Sequence, residues 1–182
     1  MDELAGESNY VLDSSGYNNN GNTVNTITAD GKVGRSRYFN GSSSYVGLGN
    51  SGVGNNINGA SAVTVSGWVK NTAFPAAATR ARILSGIVSG GNAGLLVGLM
   101  DSDGDFTVGA RSSSADTFYE ASYPLNLLDE WYHFAGVVDY ANDEIQIYIN
   151  GRLVNTTSAT FNNSTYTHGT PSEADRIGAK GN

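Results

Sequence analysis

Asp101, Asp103 and Asp105 alternate around Gly104 in the segment Met100-Asp101-Ser102-Asp103-Gly104-Asp105. Clustered oxygens of this kind suit a hard cation, and calcium is the inorganic candidate. The spacing is not that of an EF-hand, because no glutamate closes a twelve-residue loop and strand-like runs flank the segment. The plainer reading is an acidic hairpin turn in which Gly104 supplies the positive φ. Nucleophilic chemistry has less to work with. The chain has no cysteine, no Gly-x-Ser-x-Gly elbow and two histidines, His133 and His168. His133 alternates with Trp131 and Ala135 and reads as a half-buried strand residue. His168 stands in a Thr/Gly-rich loop, and two isolated histidines make a poor zinc site.

Aromatic rings offer a second kind of chemistry, since sugars stack on exposed ring faces while Asn and Asp side chains take hydroxyls. Tyr10, Tyr17, Tyr119, Tyr123, Tyr140 and Tyr166 fall in or beside loops by sequence. Trp68 and Trp131 fall within strands. Trp131 is expected in the core or at its margin, whereas Trp68 alternates opposite the valines of its own strand.

The elements that must carry these residues are strands. Trp131 to Val138 is rich in aromatic and β-branched residues, and Ile145, Ile147 and Ile149 alternate with Glu144, Gln146, Tyr148 and Asn150. Period-two alternation puts the isoleucines on one face, against a core. Asp139 to Asp143 is a polar turn, and Asn150-Gly151 is a hairpin signal because a type I′ turn needs positive φ at both central residues. The spacing predicts a three-stranded antiparallel meander over residues 130–155.

Upstream, strands are expected at Thr23 to Ala29, Arg37 to Phe39, Tyr45 to Leu48 and Val63 to Val69. In the last of these, Val63, Val65, Gly67 and Val69 share one face. A polar loop is expected over Gly49 to Gly59, and another, with a helical turn as an alternative, over Phe74 to Thr79. Further strands are expected at Arg82 to Ser89, Leu95 to Met100, Phe106 to Gly109 and Thr117 to Tyr123. After the meander the sequence predicts a loop-like tail, Thr156 to Pro171, and a last short strand from Arg176 to Ala179. Short strands every 8–12 residues or so, separated by turn signals, argue for a sandwich or barrel.

Composition agrees. At 182 residues, with 24 glycines and 15% charged residues, the chain suits one β-rich domain joined by tight turns. The formal net charge of −7, with scattered basic residues, gives no positive stripe to track a phosphate backbone, so nucleic acid is not an expected partner. No apolar run approaches a membrane span. Met1 to Glu7 has neither a basic nor an apolar signal region, so no signal peptide is expected in this chain.

Several segments together resemble the laminin-G-like, concanavalin A-like jelly-roll domains of surface proteins. They are Asp13-Ser14-Ser15-Gly16 with Asn20-Gly21, Gly31-Lys32-Val33-Gly34 running into Tyr38-Phe39-Asn40-Gly41, and Tyr45-Val46. Thr64-Val65-Ser66-Gly67-Trp68-Val69, Trp131 to Val137 and Ile147 to Gly151 follow in the same order. The resemblance covers nearly the whole chain as one domain, residues 1–182. It implies an all-β fold, a two-sheet antiparallel jelly-roll sandwich, and a module that binds glycans or a surface partner outside the cell. It also implies an extra aromatic strand at the start and a closing strand at the end, neither of which this chain shows. An unpaired sheet edge is therefore expected, capped by self-association into a homo-oligomer or rebuilt by loops.

The resemblance carries two further expectations. In some calcium-binding relatives an acidic residue near the first loop helps hold an ion, which makes Asp13 a second calcium candidate, although the partner carboxylate of the closing strand is missing. Other relatives are glycoside hydrolases with paired carboxylates on one strand face. Here that face offers Glu144, but Gln146 and Tyr148 stand where further carboxylates are needed, and glutamine serves as neither nucleophile nor acid. The expectation is a non-catalytic recognition module, with a structural self-association domain as the alternative and a glycosidase as a remote third.

Overall fold

The computed structural model describes residues 9–49, 52–75, 81–87, 93–100, 104–168 and 175–178. Every strand pairing in them is antiparallel. The strands in chain order are β1 (Tyr10–Val11), β2 (Gly21–Val24), β3 (Ile27–Asp30), β4 (Arg35–Tyr38) and β5 (Tyr45–Gly47), followed by a short helix α1 (Gly52–Ile57). Then come β6 (Ala62–Lys70), β7 (Leu84–Ile87), β8 (Ala93–Met100), β9 (Asp105–Ala110) and β10 (Tyr119–Pro124). The meander follows as β11 (Trp131–Asp139), β12 (Glu144–Ile149) and β13 (Arg152–Ser158), and β14 (Arg176–Ile177) closes the set.

Eight strands form one sheet in the order β1-β2-β5-β14-β7-β8-β9-β10, four form a second in the order β13-β12-β11-β6, and β3 and β4 make a separate hairpin. The two larger sheets pack face to face. Tyr132, Phe134 and Val138 of β11 and Ile145, Ile147 and Ile149 of β12 meet Leu95 and Val97 of β8 and Phe106 and Val108 of β9 in one buried cluster. The sheets approach closely at Gly136, where an added Cβ would stand 2.7 Å from a Val108 methyl. Phe106 packs edge-on to Tyr132 at 6.4 Å, and its ring lies 5.4 Å from Phe134. Burial pushes the Tyr132 hydroxyl up to about 12, against a weaker opposite pull from Asn71, whose Nδ2 donates to it at 2.7 Å.

The meander forms as its alternation demands. Burial along β11 and β12 switches at every residue, and Asn150 and Gly151 sit at φ 51° and 78°, the two left-handed positions of a type I′ turn. Three expected boundaries move. Thr23 to Ala29 is not one strand: Asn25 at φ 50° turns the chain so that β2 joins the large sheet and β3 joins the hairpin. The expected loop after Gly49 contains α1, whose Ile57 packs against the core. Thr156 to Ser158 continue β13 instead of opening the tail, paired with Glu144, Ile145 and Gln146. The alternative of a helical turn near Phe74 falls mostly on residues 76–80, outside the described residues.

The four-stranded sheet ends at β6. Its nine residues pair with β11 along one edge. Among the described residues no further backbone hydrogen bond engages residues 62–70. Its inward-facing Val65 and Val69 are half-buried, unlike the fully covered isoleucines of β12.

Candidate functional site

Alternation on the four-stranded sheet leaves a second, outer face. β6 presents Thr64, Ser66, Trp68 and Lys70 there, β11 presents Trp131, His133 and Ala135, and β12 presents Glu144, Gln146 and Tyr148. The register sets Trp68 directly opposite His133 and Lys70 directly opposite Trp131. Directly opposite residues have Cβ atoms about 4.5–5.5 Å apart, so these pairs form one continuous patch. Trp68 is 44% exposed, and the His133 ring meets it edge-on with centroids 5.4 Å apart.

One wall of this patch comes from the β3–β4 hairpin. Gly31 donates to the Gly34 carbonyl at 3.0 Å, and Gly34 sits at φ 58°, so the hairpin turns within four residues and holds Lys32 and Val33 at its tip. A Cβ on Gly31 would stand 2.8 Å from the Arg35 carbonyl oxygen, which is why glycine occupies that position. Lys32 Nζ lies 5.4 Å from the centroid of the Trp68 ring. Lys32, Val33, Arg35, Ser36, Trp68 and Trp131, with Gly31, enclose a recess of about 200 Å³. Trp131 is thus half-buried on the outer face and lines the recess.

Further along the same face runs a hydrogen-bonded ladder. The Tyr148 hydroxyl donates to Gln146 Oε1 at 2.8 Å, and Gln146 Nε2 donates to Glu144 Oε2 at 3.1 Å. Asp139, a carboxylate that the strand pattern of β12 alone does not reveal, stands directly opposite Glu144 in the register. It is occupied by its own turn. Its Oδ1 accepts from the amides of Ala141 and Asn142, and its Oδ2 accepts from Asn142 Nδ2. The Asn142 side chain first, against the opposing effect of burial, and then the two amides hold the carboxyl below its ordinary range. Asp139 lies six residue steps along β11 from His133, about 20 Å at strand rise, so this carboxylate pair does not share the aromatic recess.

The calcium candidates separate. Asp101 and Asp103 lie outside the described residues. Asp105 opens β9 opposite Pro124. Asp13 follows β1 at the far end of the same sheet. Six strand spacings lie between those two strands, roughly 29 Å, so Asp13 and Asp105 cannot share an ion. Asp13 organises its own loop. Its Oδ1 accepts from the Ser15 amide at 2.8 Å and its Oδ2 from the Asn19 amide at 2.9 Å, while its own amide donates to Asn20 Oδ1 at 2.8 Å. The Ser15 side chain first, then the two amides, lower its carboxyl from the ordinary value. Asp13 also borders a recess of about 350 Å³, of which it is the one charged residue in the described wall. Among the described residues, no three His, Asp or Glu side chains come together. A calcium ion takes six to eight oxygens, and the described groups around Asp13 offer it one carboxylate already receiving amide protons.

The tyrosines divide. Tyr10 and Tyr17 are exposed at 49% and 81%. Tyr140 and Tyr166 are each 1% exposed, which removes them from any stacking surface. They are buried because their loops fold over the end of the sandwich: the Tyr140 amide donates to Ser61 O and the Tyr166 amide to Ala60 O, each at 2.8 Å. Their rings and that of Phe161 stack within 4.9 to 5.9 Å. His168 lies beside Tyr166, with its Nδ1 3.4 Å from the hydroxyl.

A sequence profile described as the concanavalin A-like lectin/glucanases superfamily matches residues 40–181. Among solved structures, the chain is similar to one of botulinum neurotoxin type C, reported in connection with that toxin's dependence on interaction with two ganglioside molecules. Identity is 13% and the TM-score 0.63, over 100% of this chain and 43% of that one. It is also similar to a receptor binding domain, at 15% identity and TM-score 0.58, over 96% of this chain and 42% of that one. A third is the leech intramolecular trans-sialidase complexed with 2,7-anhydro-Neu5Ac, at 17% identity and TM-score 0.52, over 74% of this chain and 21% of that one. No curated protein matches. At these identities the likeness is one of fold, and the chain spans less than half the length of each of these solved chains.

Proposed function

The chain belongs to the concanavalin A-like lectin/glucanases superfamily, and from that premise we propose that it is a non-catalytic recognition module that binds glycans on the outer face of its four-stranded sheet. The observation that carries this reading is the aromatic recess. The chain has two tryptophans, and both line one concavity on an otherwise polar sheet face. Binding pockets are concave, with aromatic walls and a few placed polar groups, and here Lys32, Arg35 and Ser36 supply the polar groups. The ladder from Tyr148 through Gln146 to Glu144 extends the same face with donors and acceptors for hydroxyls. The gangliosides and the sialic acid derivative named for the similar structures belong to those proteins, and they support including such glycans in a screen.

The test is capture on a glycan array by the purified chain and by Trp68→Ala. Expected is retention of a defined glycan group by the parent and at least tenfold weaker retention by the variant. A folded parent that retains no glycan would sink the reading. A second reading, a self-association domain with no small ligand, is favoured by the open edge of β6. Silence on the array together with a stable oligomer in solution would select it. A third reading, glycoside hydrolysis by Glu144 and Asp139, would need turnover of a labelled polysaccharide that Glu144→Gln abolishes.

A further inference from the structure

The recess is locally basic on an acidic molecule. The chain carries a formal charge of −7 with ten lysines and arginines. Three of them, Lys32, Arg35 and Lys70, gather at the two tryptophans: Lys32 over the Trp68 ring, Arg35 in the recess wall, and Lys70 opposite Trp131 across the β6–β11 ladder. The acidic residue of the hairpin, Asp30, is 95% exposed and pairs with Arg35 at 2.6 Å, which offsets one positive charge in the recess wall and leaves that of Lys32. At the other end Asp129 and Glu130 precede Trp131, and the Asp129 amide donates to the Asn71 carbonyl beside Lys70 at 2.7 Å. Among the described residues neither Lys32 nor Lys70 belongs to an ion pair. Neutral sugars need no such arrangement.

From this juxtaposition we infer that the recess selects anionic saccharides: a pyranose ring packs on the tryptophans while its carboxylate or sulfate meets the ammonium groups of Lys32 and Lys70. The inference rests on the glycan-binding reading of the same recess and names its ligand class. A volume of about 200 Å³ suits one sugar ring and not a longer stretch of chain. Lys32 sits on a flexible stem at a hairpin tip, and a bound anion gives its ammonium a better partner than the ring quadrupole it now faces. Its movement toward the anion uncovers the Trp68 face for stacking. The surrounding negative charge makes the site selective by contrast, since anions are repelled elsewhere on the surface and drawn in here.

Intrinsic tryptophan fluorescence reads the recess directly, because both tryptophans line it. The probes are galactotriose, trigalacturonic acid and sulfated galactotriose, titrated into the parent chain and into Lys32→Gln. Expected is tighter binding of at least one anionic trisaccharide than of galactotriose by about tenfold, which is ~1.4 kcal/mol. The advantage is expected to shrink to about twofold or less in Lys32→Gln, and likewise in about 1 M salt, where the Debye length is about 3 Å. Comparison of the two anionic probes identifies carboxylate or sulfate as the recognised group. Equal affinity for all three overturns the anion selectivity and leaves glycan binding intact. Absence of any response from a folded parent also overturns it, and the broader reading falls with it only if the glycan array is silent as well.

Discussion

Tyr140 shows how a residue placed in a loop by sequence can be a core residue by packing. Its ring is 1% exposed between Phe161 and Tyr166, and its hydroxyl is buried with no hydrogen-bond partner among the described residues. Burial, with smaller effects from Tyr166 and Asp116, holds that hydroxyl far above its ordinary value, so it stays protonated. A buried hydroxyl left unpaired costs about 1–3 kcal/mol relative to its hydrated state. Tyr140→Phe keeps the ring and removes the orphan atom. We expect it to leave the fold intact and raise unfolding free energy by about 1 kcal/mol, read as a higher urea midpoint at unchanged slope. A destabilised Phe variant would show that the hydroxyl has a partner after all. The residues of the aromatic recess obey the opposite logic. Trp68 stands half in water on a strand whose other face is valine, so its exposure reflects its register and a site for something to cover.

At the level of elements, the strands that were legible in the sequence are those where local pattern and tertiary packing agree. β11, β12 and their two turns could be placed because alternation and Asn150-Gly151 demand the same geometry. β2 and β3 could not, because a single left-handed Asn25 sends one apolar run into two sheets, and nothing in its neighbours announces that. The recess was half legible for the same reason. The outward direction of Trp68 follows from the valines beside it, but its meeting with Lys32 depends on where the β3–β4 hairpin docks, a non-local fact. Two predictions belong at this level. Gly136 lies on the inner face of β11 where an added Cβ would meet the stiff Val108 side chain at 2.7 Å. Gly136→Ala should therefore cost about 1–3 kcal/mol through overpacking, and truncating the obstacle in Gly136→Ala/Val108→Ala should recover part of the loss. Independence of the two changes would argue against the contact. The β6 edge, long and open among the described residues, should pair with a second copy as concentration rises. Sedimentation should show a growing weight-average mass, with new amide protection confined to the outer edge of residues 62–70. A monomer at every concentration, with that edge already protected, would show that the edge is covered within the chain.

For the molecule as a whole, the acid limb of stability follows from carboxylates that act as structural acceptors. Asp116 is the most buried of three. Its Oδ2 accepts from the Ser112 hydroxyl at 2.7 Å, the Ser112 amide at 2.9 Å and the Asn162 amide at 3.2 Å, and its Oδ1 accepts from the Thr117 amide at 2.8 Å. Burial alone would raise its carboxyl, but these hydrogen bonds outweigh burial and hold it below the ordinary value, thereby tying the loop after β9 to the loop after β13. Asp13 and Asp139 are lowered by the same kind of bond in their own turns. A carboxyl with a folded-state value below its unfolded value, near 3.9 for Asp, binds fewer protons folded than unfolded through that interval. Stability from these groups is therefore fully present above about pH 5 and is lost as pH falls below about 4 and through the folded-state values. Urea titrations at pH 3, 5 and 7 should give similar unfolding free energies at the upper two and a clear drop at pH 3. General repulsion among positive charges would also weaken the fold in acid, so the decisive comparison is Asp116→Asn. That variant should be less stable at pH 7, by about 1–3 kcal/mol for lost charge-assisted hydrogen bonds, and should lose less than the parent between pH 5 and pH 3. Parallel pH profiles in the two proteins would place the acid sensitivity elsewhere and reduce Asp116 to a neutral acceptor.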